Sequence, residues 1–270
     1  MDKVRRNERM SAMMKLLASS PNQIFTLNSF CEIFGSAKST MSEDIDLLRT
    51  VLEQYDLGRI DTVTGAAGGV RFRPIVSRAR ARETIEGICR LLSGPERLLP
   101  GGFLYNSDIL STPDIVNQMG AILATEYYDR EPDFVLTMET KGIPVAFATA
   151  NALGVPLVIA RHSSKVYEGS AVNINYVSGS GNIETMSLSR RAVRENQHAL
   201  IVDDFLRGGG TARGMVELMR EFNISVIGMA FVMATLEPEN KRVSGAKTLM
   251  TLRVTDSDPA EAIVTPADWL

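Results

Sequence analysis

Cysteine, histidine and tryptophan are scarce: two, two and one respectively in 270 residues. Two cysteines cannot build a disulfide framework. Cys31 and Cys89 each sit in an apolar-periodic segment, which reads as buried thiols in a reducing compartment. His162 and His198 lie at no metal-ligand spacing and no Cys/His cluster points to zinc, so both are read as structural and no metal site is expected. Long apolar runs are lacking, so no segment spans a bilayer. The N-terminus is polar and basic, without the apolar core of a leader, and the chain reads as cytoplasmic with no membrane partner. An excess of one sign of charge is lacking too. A net charge of −3 excludes coating nucleic acid by bulk charge, though not a small nucleic-acid-reading module. No internal repeat or low-complexity tract is present. What is there is ordinary for a globular protein: 44% hydrophobic and 23% charged residues. At this length two domains are a better solution than one core.

The first seventy residues carry three helical patterns and then a change of period. Residues 4–18 are amphipathic, with Met10, Met13, Met14, Leu16 and Leu17 near helical spacing, and Pro21 ends the run. Residues 28–34 form a short second helix with Asn28 as N-cap, and Gly35 breaks the chain. A third helix covers residues 38–55 with Ser36 as N-cap. Its buried stripe is Met41, Ile45, Leu48 and Leu52. Helix, short helix, glycine turn, helix is the helix-turn-helix order, in which the first residues of the last helix meet base edges and phosphates. Here these are Lys38, Ser39, Thr40 and Ser42, all off the apolar stripe. The acidic Glu43, Asp44 and Asp46 oppose this reading mildly and are expected to face solvent or a partner helix. Residues 58–63 and 70–73 then alternate as strands around a glycine-rich tip at residues 65–69. A hairpin after a helix-turn-helix is a wing, and Arg59, Arg71 and Arg73 make this one basic. Lys3, Arg5 and Arg6 add cations at the start. The module ends at Pro74 and is read as a DNA-binding winged helix.

From about residue 77 the pattern alternates between helices and apolar strands. Residues 84–92 and 113–128 read as helices, 133–138 as a buried strand, 144–153 as a helix and 157–160 as a second strand. A strand at 199–203, a helix at 211–222 and a strand at 226–233 follow. This describes an open, mainly parallel α/β sheet, which binds ligands at the carboxyl ends of its strands. The sharpest motif lies there. Ala199, Leu200, Ile201 and Val202 run into Asp203 and Asp204, then Phe205, Leu206, Arg207, Gly208, Gly209, Gly210 and Thr211. Glycines let backbone amides approach an anion closely, and the helix after them adds its positive end. Carboxylates at the strand end suit sugar hydroxyls. A phosphate site beside a diol site fits a ribose 5-phosphate. Residues 237–268 read as polar with one apolar patch and give no functional signal. Trp269 is expected to pack in a surface groove.

This segment resembles the motif by which type I phosphoribosyltransferases bind 5-phosphoribosyl-1-pyrophosphate (PRPP). The resemblance implies that Asp203 and Asp204 hold the ribose hydroxyls, with Phe205 and Leu206 beside them, and that Arg207, Gly208, Gly209, Gly210 and Thr211 cradle the 5-phosphate. Gly208 departs from the pattern, since many of the enzymes carry threonine there. The loop Met138, Glu139, Thr140, Lys141 and Gly142 is similar to the one that binds pyrophosphate in those enzymes, which assigns that role to Thr140, Lys141 and Gly142. The long insertion at residues 161–194 alternates as a hairpin. In the family an arm at this place folds over the ligand, so Lys165 and Tyr167, with Arg190 and Arg191, are candidates to cover it.

The whole chain resembles the purine operon regulators of Gram-positive bacteria. The resemblance rests on the acidic pair followed by Phe-Leu, on the glycine loop and on residues 172–180 (Val-Asn-Ile-Asn-Tyr-Val-Ser-Gly-Ser). It implies a winged-helix domain over residues 1–74 and a phosphoribosyltransferase-like effector domain over residues 75–270. It further implies a homodimer on double-stranded operator DNA near purine biosynthesis genes, with PRPP as effector, ligand sensing in place of catalysis, and no cofactor beyond Mg²⁺ carried with PRPP. Another pyrophosphorylated nucleotide, such as an alarmone, is a second candidate for the same site. The rival reading is an active purine phosphoribosyltransferase of the xanthine type, which shares the Asp-Asp-Phe-Leu run.

Overall fold

The computed structural model describes residues 4–65, 68–100, 103–165, 169–178, 181–255 and 260–270. They form two compact units, one of Met1–Ser77 with Asn151–Gly154, the other of Arg78–Ala150 and Val155–Leu270.

The first unit holds helices α1 (Arg6–Ser19), α2 (Leu27–Phe34) and α3 (Lys38–Gln54), then the antiparallel hairpin β1 (Arg59–Val63) and β2 (Gly69–Arg73). Apolar spacing on the helices closes one core: Met13, Leu17, Phe30, Met41, Ile45 and Leu52 pack with Ile60, Val70 and Phe72 of the hairpin. Phe30 is fully buried, its ring stacked between Phe25 and Phe34. Phe25 exchanges backbone hydrogen bonds with Val70, adding a third short strand to the hairpin. That approach is why Gly69 is glycine: a Cβ there would lie 2.2 Å from the Phe25 carbonyl oxygen. Two expected caps are corrected. Helix α2 starts one residue before Asn28, and the Thr26 hydroxyl caps it by accepting the Ser29 amide at 3.1 Å. Helix α3 is preceded by Ala37 as N-cap, while the Ser36 hydroxyl donates back to the Phe34 carbonyl. Asp44 faces helix α1, fully buried, and accepts hydrogen bonds from Arg6 at 2.9 Å and Arg9 at 2.6 Å. A carboxylate so buried is tolerable only because it is paired twice.

The second unit contains α4 (Arg78–Leu92), the short strands β3 (Leu98–Leu99) and β4 (Phe103–Leu104), α5 (Ser107–Leu110) and α6 (Pro113–Thr125). Then come β5 (Phe134–Met138), α7 (Ile143–Leu153), whose residues from Asn151 on group with the first unit, β6 (Leu157–Ala160) and the hairpin β7 (Ala171–Val177) with β8 (Ile183–Ser189). The chain ends with β9 (His198–Leu206), α8 (Gly210–Glu221), β10 (Ser225–Thr235), β11 (Lys247–Val254) and β12 (Ala262–Pro266). Six strands make one sheet in the order β12-β11-β10-β9-β5-β6. All neighbours are parallel except β11 and β12. Every residue of β5 is buried, as its continuous apolar run requires of a strand covered on both faces. Residues 237–268, read from sequence as without signal, supply two of the six strands. Their patterns are short and separated by polar stretches, so periodicity alone leaves them ambiguous. Trp269 is held by its indole N–H, which donates to the Thr248 carbonyl at 2.6 Å, and Lys247 lies 4.9 Å from its ring centre.

The strand order fixes where a ligand can sit. From β5 the chain moves outward to β6, and from β9 it moves the other way to β10 and β11. The carboxyl ends of β5 and β9 therefore flank a topological switch point, where their two loops diverge and open a crevice.

Candidate functional site

Strand β9 runs through the acidic pair and carries Asp203 and Asp204 to the crevice. Asp203 is 7% exposed, and its Oδ1 accepts the Asp204 amide at 3.1 Å and the Thr137 hydroxyl at 3.4 Å. Burial, followed by the charge of Asp204, raises its pKa well above the ordinary carboxylate range. Burial raises Asp204 as well, and the Lys141 ammonium opposes that shift. Lys141 belongs to the loop after β5 and reaches Asn106 Oδ1 at 3.5 Å. The loop after β5 meets the end of β9 at Gly142, where a Cβ would lie 1.8 Å from Asp203 Oδ1 and 2.7 Å from Thr137 Oγ1. Only glycine lets the loop after β5 close against the acidic strand end.

The glycine loop after β9 leads into α8. Gly209 is its N-cap at φ 78°, a left-handed conformation that glycine adopts without strain. Gly210 lies where a Cβ would meet the Val177 carbonyl oxygen at 2.1 Å. Gly208 is different: a Cβ there meets nothing within 4 Å. Thr211 stands in the first turn of α8, beside the buried Tyr176 of β7, whose hydroxyl donates to Glu184 at 2.9 Å. Burial and then Glu184 push the Tyr176 hydroxyl up to about 12.

A cleft of about 440 Å³ opens where the end of β9 meets the loop after β5. Lys141, Asp204, Phe205 and Arg207 line it, so the two sequence motifs meet in one place. Leu206 does not take part. It is 4% exposed and packs in the core, because successive strand residues alternate faces. Thr140 is exposed in the loop after β5. Lys165 is half-buried and bonds Ser163, away from the cleft lining, and Tyr167 lies outside the described residues. The β7–β8 hairpin supplies no lining residue among those described. Its β7 strand rests instead on α8, where Gly214 lies against the Tyr176 ring. Among the described residues no three His, Cys, Asp or Glu side chains converge as a metal site.

In the first unit, Lys38, Ser39 and Ser42 are exposed and Thr40 half-buried at the start of α3. A groove of about 560 Å³ between this helix and the hairpin is lined by Lys38, Ser42, Arg49, Asn28 and Thr62 among others. The wing is less basic than its sequence suggests. Asp61 accepts Arg59 at 2.6 Å and pairs with Arg73 at 3.2 Å. Arg73 is 4% exposed and also bonds Asn22 at 2.9 Å, so it braces the hairpin base and does not reach outward. Arg71 is half-buried, with an Nε that has no hydrogen-bond partner. Arg5 is exposed, Arg6 is drawn onto Asp44, and Lys3 lies outside the described residues.

Two family descriptions match the chain in tandem: "Bacterial purine repressor, N-terminal" over residues 5–74 and "Phosphoribosyl transferase domain" over residues 106–268. A protein of Streptococcus pneumoniae TIGR4, named as a probable purine biosynthesis transcriptional regulator, is 44% identical over 95% of this chain and 93% of its own. The chain belongs to the family of purine biosynthesis transcriptional regulators. A member from Bacillus subtilis named as a repressor is 42% identical over 93% of this chain and 88% of its own. A member from Lactococcus lactis IL1403 named as an activator is 42% identical over 84% of each chain. Among solved structures, adenine phosphoribosyltransferase of Thermoanaerobacter pseudethanolicus shares the fold of this regulator's second unit. Its TM-score is 0.53 at 23% identity, over 62% of this chain and 97% of that one.

Sequence reasoning about this purine regulator missed the far walls of the cleft. Phe103, Leu104 and Asn106 come from the segment after β3, and Thr235, Leu236, Leu252 and Arg253 from the ends of β10 and β11. No local spacing marks them; the strand order brings them in. Arg49 was missed too. It fastens α3 to the wing, donating to the Ile60 carbonyl at 3.0 Å and the Thr62 hydroxyl at 3.1 Å.

Proposed function

We propose that the second unit binds PRPP without turning it over, and that its occupancy changes the affinity of the winged helix for operator DNA near purine biosynthesis genes. In this reading residues 1–74 are the DNA-binding domain and residues 75–270 the effector domain. The observation that carries it is the convergence of Asp204, Phe205 and Arg207 from the acidic strand end with Lys141 of the loop after β5 on one cleft, in a chain whose relatives are named transcriptional regulators. Asp203 and Asp204 take the ribose hydroxyls, the amides of residues 207–211 the 5-phosphate, and Thr140, Lys141 and Gly142 the pyrophosphate. Mg²⁺, where present, is carried on the pyrophosphate, and the acidic pair is a hard oxygen donor set suited to it. Lys38, Ser39, Thr40 and Ser42 meet the major groove, with Arg59, Arg71 and Arg5 on phosphates. A homodimer places two such units on two half-sites, in the cytoplasm.

PRPP alters DNA affinity only if it binds the DNA-competent and incompetent states unequally. The relatives named repressor and activator support a reading at the level of DNA affinity, since the sign of the output depends on where the operator lies. The test is fluorescence anisotropy on labelled DNA from upstream of purine genes, with and without PRPP. Salt-sensitive specific binding that moves with PRPP is expected. DNA binding indifferent to PRPP sinks the effector assignment, and rapid nucleotide formation from PRPP and xanthine or another purine base assigns an enzyme instead.

A further inference from the structure

The segment between β10 and β11 is stitched onto the glycine loop. The Lys241 ammonium donates to three carbonyl oxygens: Arg207 at 2.8 Å, Thr235 at 2.9 Å and Pro238 at 3.0 Å. An ammonium has three protons, so all its donors are committed to backbone and none is left for a ligand. The next residue continues the seam. The Arg242 amide donates to the Gly208 carbonyl at 3.0 Å, and its guanidinium donates to the Val177 carbonyl at 3.1 Å. A Cβ at Gly209 would lie 3.2 Å from the Arg242 nitrogen, so the two stretches are in contact.

The consequence follows from peptide geometry. The peptides after Arg207 and Gly208 are trans. In a planar trans peptide the carbonyl of one residue and the amide of the next point opposite ways. Fixing the Arg207 and Gly208 carbonyls toward Lys241 and Arg242 therefore turns the Gly208 and Gly209 amides away from that segment together. Glycine is otherwise free to rotate such peptides, and a flipped peptide would present a carbonyl to an anion.

We propose that Lys241 is a positioning residue for the glycine loop: by holding the Arg207 carbonyl outward it aims the loop amides at the ligand's 5-phosphate. It touches no ligand itself. This rests on the reading of residues 207–211 as the phosphate cradle, and the test separates the two.

The test compares two probes of the full-length protein by isothermal titration calorimetry. Ribose 5-phosphate needs the glycine loop, whereas inorganic pyrophosphate needs the loop at residues 140–142. Lys241→Met keeps length and removes all three donors. It is expected to weaken ribose 5-phosphate about 10- to 100-fold while leaving pyrophosphate within about twofold. Lys241→Gln keeps two donors and is expected to fall between, which carries the test if the methionine variant does not fold. Ribose 5-phosphate binding within about threefold of the parent in the folded variants overturns the proposal, as does an equal loss for both probes. A parent protein that binds pyrophosphate but neither ribose 5-phosphate nor PRPP overturns the cradle reading beneath it.

Discussion

Asp203 shows what a buried carboxylate costs the fold. Its neutral form is favoured in the folded state by burial and by Asp204, so its folded pKa lies above the ordinary value of about 3.9. The stability this preference contributes is complete below that ordinary value and is lost as pH rises through the folded one. At neutral pH the group carries a penalty that an uncharged isostere removes. Asp203→Asn is expected to melt higher than the parent at pH 7, by about 2–4 °C for each kcal/mol removed, with the gap closing toward pH 4. The same variant is expected to lose PRPP binding, which calorimetry measures; an unchanged affinity places the ribose elsewhere. Gly208 gives the opposite case. Neither a left-handed backbone nor a neighbour demands glycine there, since a Cβ meets open space. Gly208→Thr is therefore expected to fold normally. It restores the hydroxyl that many of the enzymes carry, and is expected to tighten PRPP by roughly one hydrogen bond, about 1 kcal/mol or five-fold. At this scale the sequence was most legible, because the acidic pair and the glycines are contiguous and their chemistry is written in residue type. Lys241 was not legible, since its role comes from three backbone carbonyls and no side-chain motif records them.

At the scale of elements, period and glycine placement located the three helices, the wing and the alternation of strands and helices. Caps and burial of charge were misjudged for a common reason. Thr26, and not Asn28, caps α2 because the helix begins where its hydroxyl meets the Ser29 amide, a one-residue distinction invisible to apolar spacing. Arg73 looked like a surface cation because alternation gives the face of a strand and not what covers it. Asp61 and Asn22 close over it. The two kinds of arginine and lysine in this unit are separable by experiment. Lys38→Ala or Arg59→Ala is expected to weaken DNA binding and lower the slope of log affinity against log salt by about one each. Arg73→Ala is expected instead to lower the melting temperature of the first unit, because it strips a partner from Asp61 at the hairpin base. An Arg73→Ala variant with parental stability and a reduced salt slope would return that residue to the DNA face.

At the scale of the whole molecule, any coupling between ligand and DNA is a single free energy read from two ends. The factor by which saturating PRPP changes the DNA dissociation constant is expected to equal the factor by which saturating DNA changes that of PRPP. Anisotropy gives the first and calorimetry on the DNA complex the second; unequal factors would mean that a third equilibrium, such as subunit association, is hidden in one assay.

The strand order has a further consequence for that association. The six-stranded sheet ends on β12, five residues long and closed by Pro266, and on β6, four residues long. Beyond β6, Arg161 already bridges to Ser187 of β8 in backbone hydrogen bonds. Short borders, one with a missing donor and one partly covered, make poor templates for another chain's backbone. Copies of this protein are thus expected to recognise one another through side chains on helices and loops, leaving the sheet at six strands however many subunits assemble.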